Sequence, residues 1–139
     1  MKTTATGFHY DSLPDTNAVS RFVAKKYGGA DPCRYAGEAL RAIQHHCRPA
    51  KKDWGLGPLK EFPVIGFDRF EACIIRGKGE FSLYYLHYSR CDDKSASLAI
   101  CKAILHDWIV ETTKAAGAEY VVNKLGEAGI EWENPGEFE

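Results

Sequence analysis

The sequence predicts an α+β fold in which an antiparallel β-hairpin or small sheet packs against about four helices. Two β-rich runs, at residues 69–76 and 80–89, flank the glycine-framed turn Gly77-Lys78-Gly79. Glycine permits the positive φ of a tight reversal, and β-branched and aromatic residues favour strands, so the three segments predict the hairpin. Because an isolated hairpin is only marginally stable in water, helices must cover it. The predicted order is α-α-β-β-α-α.

Length and composition indicate one domain that covers residues 1–139. A chain of 139 residues with 45% hydrophobic content is long enough to bury a core. Residues 1–14 lack periodicity and are expected to form an N-terminal arm, and residues 130–139 an acidic C-terminal tail. No apolar run reaches the roughly 18 residues of a membrane span, and no secretory signal opens the sequence. We therefore expect a soluble, cytoplasmic protein without membrane association.

Start and stop signals predict two helices before the hairpin. The first begins near residue 15 and ends at two consecutive glycines, which suit a left-handed C-cap. The second has Asp31 as its N-cap and Pro32 at its first helical position. It ends near residue 47, because Pro49 disfavours helical backbone in Arg48.

Residues 48–63 form the longest predicted irregular segment after the N-terminal arm. Loops of this length are uncommon within compact domains and often bind a ligand or partner. This one carries Trp54 close to three basic residues, Arg48, Lys51 and Lys52. The segment therefore predicts a binding loop, and a short strand at residues 64–67 is expected to lead from it into the hairpin.

Two further helices are predicted after a polar connection at residues 91–94. The first is capped by Asp93 or Ser95, has apolar residues at three-four spacing from residue 98 to 112, and stops at Gly117. A shorter helix then covers residues 118–125. Its predicted inward residues are Val121, Val122 and Leu125. Beyond it, Ile130 and Trp132 alternate as in a strand or an anchored extension.

The charge of the chain is unevenly distributed along the sequence. Residues 1–60 contain ten Lys and Arg against five acidic residues, and residues 61–139 contain eight against fourteen, which gives +5 and −6. A basic region in the N-terminal half would attract an acidic partner or nucleic acid. The total charge of −1 favours a protein partner, because proteins that bind the phosphate backbone usually carry a basic surplus.

A thiol-dependent hydrolase or acyl-transfer enzyme is the alternative function. Cys33 takes the second position of the predicted second helix, where free N–H groups favour a thiolate. His87 on the hairpin would act as the base, and Asp92 would orient it, an arrangement that thiol hydrolases also use. Against this, Asp31 opposes a negative charge on Cys33, and His87 shares a strand face with apolar residues.

The sequence predicts neither a metal nor a cofactor. The five cysteines form an odd set without Cys-x-x-Cys spacing, which is typical of a reducing compartment. The only dense cluster of ligand types is His45-His46-Cys47, and consecutive helical residues point roughly 100° apart. The segment Trp54-Gly55-Leu56-Gly57-Pro58 lacks the lysine and hydroxyl that end a nucleotide-binding loop.

The second hairpin run has aromatic residues on both faces, so that one helix cannot cover it. Tyr84 and Tyr88 lie on the face opposite the apolar face that carries His87. The uncovered face would bind a protein partner or a second copy of the chain. We therefore predict a small intracellular binding or modulator protein, of the accessory or inhibitor type, that acts on a larger macromolecule. Its predicted binding residues are Arg48, Lys51, Lys52, Trp54, Tyr84 and Tyr88.

Overall fold

The computed structural model describes residues 16–58, 69–75 and 88–132, and these residues form an α+β fold as predicted. The described elements are α1 Thr16–Tyr27, α2 Ala36–Cys47, β1 Asp53–Pro58, β2 Phe70–Ile75, β3 Tyr88–Asp93, α3 Ala96–Ala116 and α4 Ala118–Glu127. The predicted order is correct only in part, because a strand precedes the two that form the hairpin. The expected N-terminal arm and residues 133–139 of the acidic tail lie outside the described residues.

The described strands form one antiparallel sheet with β2 between β1 and β3. Strands β2 and β3 pair as the hairpin prediction requires, with Ile75 opposite Tyr88. The predicted turn and residues 80–87 lie outside the described residues. Strand β3 extends to Asp93, so the prediction of a polar connection from residue 91 was wrong. Pairing with β2 continues there because Cys91 is buried opposite Ala72.

Strand β1 replaces part of the predicted binding loop. Asp53–Pro58 pairs with β2 along its whole length, so the prediction of irregular structure was wrong for these residues. Trp54 faces the core, while Gly55 and Gly57 have nothing within 4 Å of an added Cβ atom. The sequence did not predict this strand, because two of its alternate positions are glycine, which has a low strand propensity. The strand expected at residues 64–67 lies outside the described residues.

Helix α2 begins at Ala36, four residues later than predicted. Pro32 belongs to a turn in which the N–H groups of residues 34 and 35 both donate to the Asp31 carbonyl at 3.0 Å. Tyr35 then has extended backbone, with φ −105° and ψ 115°. The Asp31 side chain accepts a hydrogen bond from Ser20 Oγ at 2.5 Å and does not cap α2. The prediction of Asp31 as N-cap was therefore wrong.

The other helix ends follow the predicted local signals. Gly28 and Gly29 have φ values of 92° and 96° directly after α1. The Ser95 hydroxyl oxygen accepts from the Leu98 N–H at 3.2 Å and caps α3. Gly117, with φ 92°, ends α3 and lets the chain turn directly into α4. These signals succeeded because each one acts within a single turn of backbone.

Helix α3 lies at the centre of the fold. The sheet packs against it on one side, and α1, α2 and α4 also contact it. Ile100, Ile104 and Ile109 are fully buried, and His106 Nδ1 lies 2.7 Å from Ser89 Oγ of the sheet. No helix within the described ranges combines the length and hydropathy needed to cross a membrane.

The segment after α4 is anchored in the core. Ile130 and Trp132 are 2% and 6% exposed, which confirms the predicted anchored extension for these two residues. Within α4, Val121 and Leu125 are buried as predicted. The inward orientation predicted for Val122 was wrong, since this residue is 39% exposed.

Candidate binding groove

A groove between α1, α3 and α4 brings basic and aromatic side chains together. It encloses about 840 Å³, which is within the range of ligand-binding clefts in proteins. We call it the basic groove. Its basic residues are Arg21, Lys25, Lys26 and Lys124, and its aromatic residues are Phe22, Trp108 and Tyr120. One carboxylate, Glu127, also lines it, so the groove carries three more cations than anions.

Helical spacing explains how each element contributes to the groove. Residues four apart lie on the same side of a helix. Each of the three helices therefore presents such a pair to the groove. The pairs are Arg21 and Lys25 on α1, Trp108 and Thr112 on α3, and Tyr120 and Lys124 on α4. The chain following α4 closes one end with Ala128 and Gly129.

Lys26 is the central cation of the basic groove. Its Nζ atom lies 5.2 Å from the ring centroid of Phe22 and 5.2 Å from that of Trp108. The two rings pack edge to face with centroids 5.0 Å apart. An ammonium group over aromatic faces is attracted by their negative faces, so the rings hold Lys26 in position.

The charged form of Lys26 is nevertheless disfavoured. Burial lowers the pKa of Lys26, and the neighbouring charges of Lys25 and Lys124 lower it further. Desolvation and like charges both act against an ammonium group, whereas a nearby anion favours it. An incoming carboxylate or phosphate would therefore relieve the charge repulsion at this position.

The α4 side of the groove is open to solvent. Tyr120 is 44% exposed, and the Nζ atom of Lys124 lies 5.7 Å from its ring centroid. Lys124 also forms a long contact of 3.4 Å with Glu127, and both side chains are substantially exposed. Such a surface ion pair contributes little stability, so Lys124 can turn toward a ligand at small cost.

The residues predicted to form the binding loop lie elsewhere. Lys52 Nζ donates to the buried carboxylate of Asp107 at 2.8 Å, and its side chain is only 9% exposed. Trp54 packs against the core from β1, while Arg48 and Lys51 are exposed after α2. Lys52 and Trp54 are thus turned toward the interior, whereas Arg48 and Lys51 are exposed. Tyr84 lies outside the described residues, and Tyr88 is placed as the first residue of β3.

The described outer face of the sheet carries charged pairs. Arg90 Nη2 lies 2.7 Å from Glu71 Oε2, and Arg69 Nε lies 2.6 Å from Asp92 Oδ2. The first pair joins β2 to β3, and the second joins the residue before β2 to β3. The aromatic face expected around Tyr84 belongs to residues outside the described ranges.

A hydrogen-bonded network joins α1, α2 and α3. The Tyr27 hydroxyl lies 2.5 Å from His46 Nδ1, and His46 Nε2 lies 2.6 Å from Asp107 Oδ2. Burial raises the pKa of Tyr27 to about 12, and the Asp107 carboxylate adds to this shift. A phenol that stays protonated is a poor nucleophile. The network therefore connects α1, α2 and α3 and does not activate Tyr27 for chemistry.

Of the three residues of the alternative thiol enzyme, the structure describes Cys33 and Asp92. Cys33 lies in the turn before α2, so the helix N-terminus that was expected to favour its thiolate is absent from this position. The Cys33 N–H donates to Ser20 Oγ of α1 at 3.2 Å. Asp92 pairs with Arg69 on the sheet, and His87 lies outside the described residues.

Among residues 16–58, 69–75 and 88–132, no three metal-ligating side chains lie together in a metal-binding arrangement. The cluster at residues 45–47 is dispersed. His45 is exposed, His46 pairs with Asp107, and Cys47 is buried. The three side chains thus point to three different surroundings, as expected for consecutive helical residues.

None of the residues that line the basic groove is among the predicted binding residues. Lys25 and Lys26 belong to the predicted basic half of the chain, but Tyr120 and Lys124 come from the acidic half. The four-residue spacing of Tyr120 and Lys124 was the only local signal for the α4 side. Comparisons with protein-family models, with curated proteins and with solved structures each give no match.

Proposed function

We propose that this chain is a binding protein that holds an acidic segment of a partner protein in the basic groove, and so modulates that partner. The observation that supports the proposal is the position of Lys26, held between two aromatic rings and close to two further ammonium groups. Crowding of like charges costs folding free energy unless a counter-charge is bound. A bound anion would therefore offset part of the free-energy cost of placing these like charges together.

The composition of the groove indicates which ligand chemistry it would accept. Lys25, Lys26 and Lys124 offer charge to carboxylates, and Arg21 adds a planar donor that can hold one carboxylate through two hydrogen bonds. The aromatic rings would contact the methylene groups or aromatic side chains of the same segment. A short peptide that alternates Glu or Asp with apolar residues combines both features.

A protein partner is favoured over nucleic acid for two reasons. A phosphate backbone needs an extended track of cations, but Lys52, a basic residue between α2 and β1, is already paired with Asp107. The groove also contains Glu127, and the whole chain has a net charge of −1. Cytoplasmic location and a second copy of the chain as partner stay predictions.

The experiment is a binding titration with three probes of equal length. The probes are a fluorescent peptide rich in Glu and Phe, its counterpart with Lys in place of Glu, and a single-stranded oligonucleotide. The double variant Lys26→Gln with Lys124→Gln removes two groove cations. The matched control, Lys94→Gln with Lys114→Gln, removes two exposed cations outside the groove.

We expect the acidic peptide to bind and the groove variant to lose about tenfold in affinity, which corresponds to about 1.4 kcal/mol. The control variant should lose less than about twofold, because distant exposed charges are screened by salt. Equal losses in both variants, or no binding of the acidic peptide, would contradict the proposal. Preferential binding of the oligonucleotide would replace it with single-stranded nucleic acid recognition.

A further inference from the structure

Helix α2 has a basic side that faces away from the core. Its buried residues are Ala39, Ala42, Ile43 and Cys47. Since a helix turns by about 100° per residue, positions 37, 41, 44 and 48 lie within about 60° of one another on the opposite side. The residues at these positions are all exposed, and they are Gly37, Arg41, Gln44 and Arg48. We call this stripe the α2 outer face.

The two arginines of the α2 outer face have a fixed spacing. Arg48 directly follows α2 but keeps helical backbone, with φ −58° and ψ −49°, and its N–H donates to the Gln44 carbonyl at 3.0 Å. Seven residues of helix therefore separate Arg41 from Arg48, which is a rise of about 10 Å. Lys51 adds a further exposed cation at this end, because its N–H donates to the Arg48 carbonyl at 3.1 Å.

The positive charge of the α2 outer face is not neutralised within the described part of the chain. Neither Arg41 nor Arg48 forms an ion pair with a residue of the described ranges. Glu38 is the acidic residue of α2, and its Oε1 atom already accepts hydrogen bonds from the N–H groups of Ala30 and Asp31, both at 2.8 Å. Both guanidinium groups can therefore accept an outside anion without breaking an internal ion pair.

The spacing of the α2 outer face suits a second helix. Steps of four, three and four residues are those at which one helix packs along another. Gly37 has nothing within 4 Å of an added Cβ atom, so a partner helix can approach closely at this end. A guanidinium group can hold one carboxylate through two hydrogen bonds. A phosphate backbone fits less well, because Gly37 and Gln44 interrupt the row of cations.

We infer that the α2 outer face is a second docking surface, which binds an acidic helix of a partner protein through carboxylates seven residues apart. Arg41 and Arg48 would each pair with one of these carboxylates. Arg48 and Lys51 are also two of the binding residues predicted from the sequence, and the basic groove gave them no role. The inference is independent of that groove, because no residue of α2 is among the residues that line it.

The test is an NMR titration of the full chain with two alanine-rich helical peptides of the same composition. The first peptide has two Glu residues seven positions apart, so that both lie on one side of its helix. The second has them five positions apart, on different sides. The two peptides carry equal charge, so a difference in affinity reports on spacing and not on charge alone.

The variant Arg41→Gln with Arg48→Gln removes both arginines from an exposed surface. We expect the wild type to bind the first peptide about fivefold more tightly than the second, with the largest amide shifts in α2. The double variant should lose about fivefold in affinity for the first peptide, because exposed ion pairs contribute little individually. Arg41→Glu with Arg48→Glu should instead bind a counterpart peptide with Lys in place of Glu.

Two control variants locate the effect. The exposed pair Lys94→Gln with Lys114→Gln and the groove pair Lys26→Gln with Lys124→Gln should each lose less than about twofold, because salt screens distant charges. A loss in the groove pair as large as that in the arginine variant would overturn the inference.

Three further results would overturn the inference. Equal binding of the two peptides would show unspecific attraction of charge only, and no binding of the first peptide would remove the docking surface. Duplex DNA that binds more tightly than the first peptide, and loses affinity in the arginine variant, would replace the acidic helix with a phosphate backbone. None of these results depends on the Glu- and Phe-rich peptide, so a failure of the groove proposal is distinguishable from a failure of this one.

Discussion

The Nε2 atom of His46 lies 2.6 Å from Oδ2 of Asp107, a carboxylate with no solvent exposure. The same oxygen accepts a hydrogen bond from Lys52 Nζ at 2.8 Å. This arrangement ties the end of α2 and the segment before β1 to the centre of α3. It also explains why neither His46 nor Lys52 is available for the metal or ligand roles that their positions in the sequence suggested.

Asp107→Asn should destabilise the fold by about 3 kcal/mol, because it leaves Lys52 half-paired in a buried site. Burial raises the pKa of Asp107, but the hydrogen bonds and charges of His46 and Lys52 outweigh it and leave the pKa below its ordinary value of 3.8. The stability that the ionised Asp107 carboxylate contributes is therefore present above about pH 4. It is lost as the pH falls through the pKa of Asp107 in the folded state.

The measurement for Asp107 is urea unfolding of the wild type and the variant at several pH values. The stability difference should be constant near neutrality and should shrink below about pH 4. Glu111→Gln is the control, since Glu111 is half-exposed and lies 3.8 Å from Lys52. The Glu111→Gln variant should lose less than about 1 kcal/mol of unfolding free energy. A difference for Asp107→Asn that stays constant down to pH 3 would count against this ion pair.

Tyr27 should titrate later than an ordinary tyrosine. Its pKa is raised to about 12 by burial and by the charge of Asp107. Because the folded-state pKa is the higher one, its stabilising contribution is complete below about pH 10 and is lost as pH rises through about 12. Phenolate absorbance should show a late-titrating group that disappears in Tyr27→Phe. The control Tyr35→Phe should keep the late-titrating group. Loss of that group in both variants would refute its assignment to Tyr27.

Lys51→Gly should stabilise the protein by roughly 0.5 to 1 kcal/mol. Lys51 has a φ of 53°, in the left-handed region that costs a non-glycine residue about 1 to 2 kcal/mol. The N–H groups of Lys51 and Lys52 donate back to the carbonyls of residues 48 and 47, the pattern that usually ends with glycine. Part of the gain is offset by the greater freedom of glycine in the unfolded chain.

Thermal unfolding measures the effect at Lys51 directly. Lys51→Ala keeps a Cβ atom and should show none of the gain, so it separates backbone strain from loss of the lysine charge. Equal melting temperatures for the glycine and alanine variants would contradict the assignment of strain to this residue.

Ser95→Ala should destabilise the protein by about 1 kcal/mol, because the Leu98 N–H loses its hydrogen-bond acceptor. Ser95→Asn should retain most of the stability, because the Asn side chain also supplies a capping oxygen. Chemical unfolding of the three proteins at neutral pH compares them. Equal losses of stability in Ser95→Ala and Ser95→Asn would contradict the capping role of Ser95.

Local signals predicted most helix ends correctly, whereas the start of α2 and the extent of β3 depend on tertiary interactions. The ends at Gly28, Ser95 and Gly117 depend only on neighbouring backbone and were correct. The start of α2 was wrong because Ser20, eleven residues away in sequence, binds the Asp31 side chain. Strand β3 extends through an acidic segment because Lys102 Nζ donates to Asp93 at 2.9 Å.

The candidate site was predictable only in part. Lys25 and Lys26 lie in the last turn of α1, within the basic half of the chain. Their placement against Trp108 and Tyr120 depends on how three helices pack, which a charge count along the chain does not contain. The predicted binding residue Lys52 faces inward for a similar reason, because its partner Asp107 is 55 residues away in sequence.

The central claim is that the basic groove holds an acidic ligand around Lys26, and the most direct test is the pKa of Lys26 measured by NMR of its ε-methylene group. Free protein should show a Lys26 pKa below 10.5, because burial and neighbouring lysines disfavour the charge. Saturation with the Glu- and Phe-rich peptide should raise that pKa, since a bound carboxylate favours the ammonium form. A Lys26 titration curve that the peptide leaves unchanged would contradict the claim.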